Sequence, residues 1–277
     1  MIVDAHQHLW TISRPDHEWP TADDGGIFRD VDETEYRAAA PTVDRTVLVQ
    51  AQPRQSDTDW LLSLAEASQL IGGVVGWADL SAPDAPAHIA RLAQNPKLKG
   101  LRPMLQGLAD DAWILRDDVQ PALLAMVDAG LVFDALILPR HLPVIEHLAI
   151  LWPDLKIVID HCAKPAIGSG DDAGWRDAMA RIADRTNLYC KLSGLVTEVS
   201  PDTWDTEAID AAWAYADHVF DRFGSNRILW GSDWPVITSR CSLQDWLGWT
   251  QAWLSTKPQA ASDAILGGTA CRVYDLN

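Results

Sequence analysis

Lys156-Ile157-Val158-Ile159-Asp160-His161 is an almost unbroken apolar run that ends on an acid and a histidine. A strand without polar alternation is one covered on both faces, the situation of a parallel strand flanked by helices. Seven further strand candidates surround it: Ile2–His6, Thr46–Ala51, Gly73–Ala78, Lys99–Met104, Leu131–Leu136, Asn187–Ser193 and Arg227–Asp233. Between them the period changes to that of a helix. Trp175, Met179, Ile182 and Ala183 recur at helical spacing, as do Ile209, Trp213, Ala216 and Phe220. Gly130 and Gly224 read as helix stops, and Ser81 with Pro83 and Asp84 as a helix start. Alternation of this kind implies parallel strands joined by right-handed crossovers, and eight units imply closure. The expectation is an α/β fold, a (β/α)8 TIM barrel in one domain over residues 1–277. A barrel typically needs about 250 residues. An open doubly wound sheet is the alternative on pattern alone, but no GxGxxG or P-loop supports it.

Composition narrows the function classes. No run of eighteen apolar residues is present, so a membrane span is not expected. The N-terminus has no basic segment and enters a strand at once, unlike a secretory signal. Cys162, Cys190, Cys241 and Cys271 form no CxxC pair and read as reduced thiols of a cytoplasmic protein. A net charge of −17 argues against binding a phosphate backbone. The fourteen tryptophans read mainly as core or barrel-rim filler, although aromatic faces also suit the apolar side of a sugar ring. A homo-oligomer is left open.

The chemistry-bearing residues gather at strand ends. In a strand, residues two apart face the same way, so His6 and His8 of Asp4-Ala5-His6-Gln7-His8 project together. Such a pair can ligate a divalent ion or clamp a polar substrate. His161 and Asp233 close the sixth and eighth strands, and Arg102 and Lys191 lie at the ends of the fourth and seventh. Three histidines and a carboxylate at barrel strand ends converge on one pocket at the C-terminal face. There, either cation can hold a carboxylate or polarise a carbonyl. The connections Leu9–Asp30 and Gln106–Leu115 belong to that face, and His17 in the first is placed to act as part of a lid. Lys164 lies just past its strand, where it could face solvent, and Cys162 is expected to point away from the pocket if His161 points in.

At these residues the chain resembles the amidohydrolase superfamily, specifically its branch of sugar-acid lactonases and 2-pyrone-4,6-dicarboxylate lactonase. The resemblance spans Asp4–Trp10, Gly100–Arg102, Asp160-His161, Lys191–Leu195, Gly231–Val236 and the closing segment Gly268–Tyr274. It implies a distorted barrel that hydrolyses lactones, with His6, His8, His161 and Asp233 in the site positions. It also implies one divalent metal such as Zn2+ on those four residues, or none, since the branch includes metal-independent members. Arg102 stands where binuclear members carry a carboxylated lysine, and no histidine ends the seventh strand. Pro103 follows Arg102 where related sugar lactonases are expected to have a histidine.

The mechanism expected from this has Asp233 as general base toward water, with His6, His8, His161 and Arg102 or a metal stabilising the oxyanion. Lys191 and His17 are expected to contact the hydroxyls or carboxylate of a small sugar-acid lactone, with Trp10, Trp77 or Trp234 as an apolar wall. Two other readings stand beside this one: a metal-dependent decarboxylase or lactone isomerase of the same superfamily, and a non-catalytic barrel that binds sugar acids.

Overall fold

The computed structural model describes residues 1–168, 172–200 and 206–276. All eight strands are present: β1 (Val3–Gln7), β2 (Arg45–Val49), β3 (Ile71–Gly76), β4 (Leu98–Leu101), β5 (Val132–Ala135), β6 (Ile157–Ile159), β7 (Leu188–Leu192) and β8 (Ile228–Trp230). Each pairs in parallel with the next in chain order. The barrel closes where the Asp233 N–H donates to His6 O and the His8 N–H to Trp234 O, both at 2.8 Å.

Helices α1 (Glu33–Ala39), α2 (Gln55–Ala67), α3 (Ala85–Leu92), α4 (Gln120–Asp128), α5 (Leu142–Leu151), α6 (Ala173–Ile182), α7 (Thr206–Phe223) and α8 (Leu243–Leu254) alternate with the strands. Two short helices, α9 (Gln259–Asp263) and α10 (Thr269–Val273), end the chain. No described helix is long and apolar enough to cross a membrane. The start expected at Ser81 comes a few residues later, with Asp84 preceding α3. Gly130 and Gly224 do stand at helix ends, in the left-handed backbone that favours glycine there.

Two apolar layers result. Strand faces and helices share one large cluster. Within it Trp213 lies between Trp246 and Trp253 at ring distances of 5.4 and 5.6 Å, joining α7 to α8. The barrel interior is a separate cluster of Val3, Ala5, Val47, Val49, Val75, Val132, Val158 and Leu229, plugged at the strands' N-terminal end by Tyr274 and Leu276.

β1 departs from strict alternation. Val3 and Ala5 face the interior, yet His6 and His8 do too, because the register shifts between Asp4 and Gln7. The buried Asp4 carboxylate holds that irregularity: it accepts from the His6 N–H (3.1 Å), the Ser232 N–H (2.8 Å), Ser232 Oγ (2.5 Å) and Tyr36 OH (2.8 Å). Bulges of this kind re-aim side chains next to sites.

Candidate active site

The irregularity in β1 and the seam with β8 bring three imidazoles around one carboxylate. Asp233 Oδ1 lies 3.3 Å from His8 Nε2, 3.6 Å from His6 Nε2 and 4.0 Å from His161 Nε2. His6 Nε2 and His8 Nε2 are 3.1 Å apart. Two glycines make this closeness possible. A Cβ on Gly231 would sit 2.8 Å from His6 Cβ, and one on Gly194 would sit 2.8 Å from the His161 side chain. Gly194 also has a φ of +68°, which disfavours other residues.

The orientation of His8 is fixed by its neighbour. Its Nδ1 is 2.8 Å from Val49 O, an acceptor only, so Nδ1–H donates and the Nε2 lone pair faces Asp233 in the neutral ring. That is the arrangement of a metal-ligating histidine. Donors at about 2.0–2.1 Å on a tetrahedral zinc stand about 3.3 Å apart. The edges of 3.1, 3.3 and 3.6 Å among His6, His8 and Asp233 therefore suit a divalent ion. His6, Asp160 and His161 form a second group of converging ligand atoms.

Beneath the histidines lies a charged layer. Lys191 Nζ contacts Asp134 Oδ2 (2.5 Å), Asp160 Oδ1 (3.0 Å) and His6 Nδ1 (3.2 Å) with no exposed side-chain surface. Tyr274 OH donates to Asp134 from below at 2.8 Å. Arg102 Nη1 reaches Asp160 Oδ2 (3.2 Å), and its Nη2 reaches Gln50 O at 2.5 Å. Its buried Nε–H has no acceptor among the described residues.

Burial dominates the protonation states. It drives His6 well below the ordinary imidazole range, with Lys191 pushing the same way, and brings His161 down to about 4 against the pull of Asp233 and Asp160. Both rings are neutral at neutral pH. For Asp233 burial acts upward, but His161, His8 and His6 outweigh it and hold the carboxyl below its ordinary range. Burial also raises Asp134, to about 6, although Lys191 opposes it.

These groups floor a cavity of about 160 Å3. Of the expected site residues, His8, His161, Asp233 and Arg102 line it. His6 lies just below, fully buried. Lys191 is a layer deeper. His17 is turned to Pro20 O (2.7 Å) and lines a separate cleft, while its loop neighbour Trp19 reaches the cavity wall. Trp10 and Trp234 are buried in the surrounding core, Trp10 bonded to Arg29 O and Trp234 packed on Tyr36. Trp77 lines another cleft beside His88. The apolar wall instead consists of Trp19, Ala51, Met104, Leu136 and Val236, and Gln106 and Lys164 supply polar groups. The aromatic first loop and the second long connection were the sequence signals for Trp19 and Gln106. Leu136 and Val236 had no such signal beyond standing after β5 and β8. All four cysteines are free, and Cys162 is buried with its Sγ toward Lys191 O.

A closed parallel barrel with histidines on β1, a histidine after β6 and an aspartate after β8 places the chain in a known class. It belongs to the amidohydrolase family, whose model matches residues 3–276. An L-fucono-1,5-lactonase from Burkholderia ambifaria is 43% identical over 99% of this chain and 96% of its own length. A second L-fucono-1,5-lactonase, from Burkholderia multivorans, is 33% identical over 99% of this chain and 96% of its own. Among solved structures, an amidohydrolase from Burkholderia multivorans with bound zinc superposes with a TM-score of 0.94 at 31% identity, all of each chain being covered.

Proposed function

We propose that this protein is a hydrolase that opens the ring of a sugar-acid lactone, an aldono-1,5-lactone similar to L-fuconolactone. The carrying observation is Asp233 Oδ1 ringed by three imidazole Nε2 atoms within 4.0 Å on the floor of a small cavity, beside a buried arginine. The names of the two lactonase relatives support the substrate class.

In the proposed reaction, Asp233, ionised at neutral pH, takes a proton from the water whose oxygen attacks the lactone carbonyl. Arg102, whose guanidinium lines the cavity, faces the oxyanion that develops. Collapse breaks the bond between carbonyl carbon and ring oxygen. The proton on Asp233 passes to that oxygen, and the product acid releases its own proton to solvent. Neutral His6 and His161, with His8 beside them, surround the carboxylate and the water. His6, His8 and Asp233, with His161 alongside, are also the residues that would hold a zinc ion. When bound, such an ion would acidify the water and offset the weak basicity of a carboxyl held this low.

A pH-stat panel of aldono- and uronolactones, run with and without chelator, tests this reading. Ring opening releases one proton per turnover. An isomerase would consume lactone without that release, and a binding protein would consume none.

A further inference from the structure

His161, Cys162, Ala163 and Lys164 all have φ between +50° and +58°, a complete left-handed turn without a glycine. Such backbone costs about 1–2 kcal/mol per residue, and it persists only where the surroundings over-determine it. The surroundings do so here. The Lys164 N–H donates to His161 O (2.8 Å), Trp175 Nε1 donates to Cys162 O (2.8 Å), and His161 Nδ1 lies 2.9 Å from Ser193 Oγ. The result is that Cys162 and Ala163 are fully buried, while the first and fourth residues of the turn, His161 and Lys164, both line the cavity. An ordinary exit from β6 would not pair them this way. Lys164 therefore does not simply face solvent, as its place in the sequence suggested.

Among the described residues, what Lys164 meets there is incomplete. Its Nζ is 3.9 Å from Glu198 Oε1, beyond hydrogen-bond reach, and the side chains are 23% and 25% exposed. No described residue donates a hydrogen bond to the Glu198 carboxylate or accepts one from Lys164 Nζ. Burial, only partly countered by Lys164, pushes the Glu198 carboxyl above its ordinary range. A hydroxyl oxygen about 2.8 Å from both atoms would bridge the gap with an angle of about 90° at oxygen, accepting from the ammonium and donating to the carboxylate.

We infer that Lys164, with Glu198 beside it, binds a ring hydroxyl of the substrate and so determines selectivity for polyhydroxylated lactones over unsubstituted ones. This rests on the lactonase reading and adds the residues that recognise the part of the substrate remote from the scissile bond. Losing a hydrogen bond to a charged group typically costs about 10- to 100-fold in affinity.

The test compares wild type, Lys164→Met and Lys164→Arg on an L-fuconolactone-type 1,5-lactone. It also measures the inhibition constant of δ-valerolactone, which has the ring but no hydroxyls. Methionine keeps an unbranched side chain in the strained turn, so a folded variant is expected, and the arginine variant keeps the cation. Lys164→Met should lose about 10- to 100-fold in kcat/KM on the sugar lactone, mostly in KM. The inhibition constant for δ-valerolactone should move less than about twofold, and Lys164→Arg should recover part of the loss. Equal changes for both ligands, or none for either, would overturn the assignment. A wild-type enzyme inert on every lactone would instead refute the lactonase reading.

Discussion

The Asp4 carboxylate grips Ser232 twice, through the backbone N–H at 2.8 Å and the side-chain Oγ at 2.5 Å. The contact ties the strand that carries His6 and His8 to the residue before Asp233, at the seam where the barrel closes. Tyr36 OH and the His6 N–H share the same carboxylate. Asp4→Ala would leave several buried donors without an acceptor, each costing about 1–3 kcal/mol. We predict a loss of at least about 3 kcal/mol in urea unfolding, and a fall in kcat from the displaced seam.

Lys191 is the counter-charge for two buried carboxylates, Asp134 and Asp160. Breaking a buried pair from one side typically costs about 3–5 kcal/mol. Lys191→Met should destabilise the barrel by about that much. Lys191→Met/Asp134→Asn should recover part of it, because Tyr274 OH keeps an acceptor and one buried charge is gone. Denaturant melts of the three proteins decide this.

His161 is held neutral down to about 4, whereas an unfolded histidine titrates near 6.5. Between those values the unfolded chain binds the extra proton, so this group's contribution to stability is lost as pH falls from about 6.5 towards 4. The size for one buried group is about 3 kcal/mol. Asp134, raised to about 6, acts with opposite sign in part of that window. The clean quantity is therefore a difference. Wild type should lose more stability than His161→Gln between pH 7 and pH 4.5, as read by urea unfolding.

Elemental analysis after dialysis against zinc should find one equivalent per chain, removed by chelator and lost in His8→Ala. Because a ligand for the folded state alone stabilises it, zinc should also raise the melting temperature of wild type and not of His8→Ala.

Much of this architecture was legible in the sequence. The alternation of short β-rich runs with helical patterns marked all eight strands, several of them nearly continuous apolar runs because both faces of a barrel strand are covered. His161, Asp233 and Arg102 could be placed because strand ends in such a barrel share one face. Depth was not legible. Lys191 points inward as its strand position implied, but it lies below the histidines, where long-range partners from β5 and β6 fix it. Nor was the backbone path after β6, since nothing in His161-Cys162-Ala163-Lys164 contains the glycine that usually announces left-handed geometry. Asp4 was visible in its motif, but its four donors come from β1, α1 and Ser232 just past β8, which only the closed barrel assembles. The tryptophans misled for a related reason. An indole fills a core as readily as it lines a cavity, and Trp10 and Trp234 do the former.

In the proposed reaction Asp233, clasped by the strand-end histidines, moves the proton of lactone hydrolysis. The most direct measurement is the pH-stat rate of Asp233→Asn on an aldono-1,5-lactone that wild type opens, beside a thermal melt of both proteins. We expect a fall in kcat of about 10²–10⁴-fold with a folded barrel. Turnover near the wild-type rate from folded Asp233→Asn would contradict it.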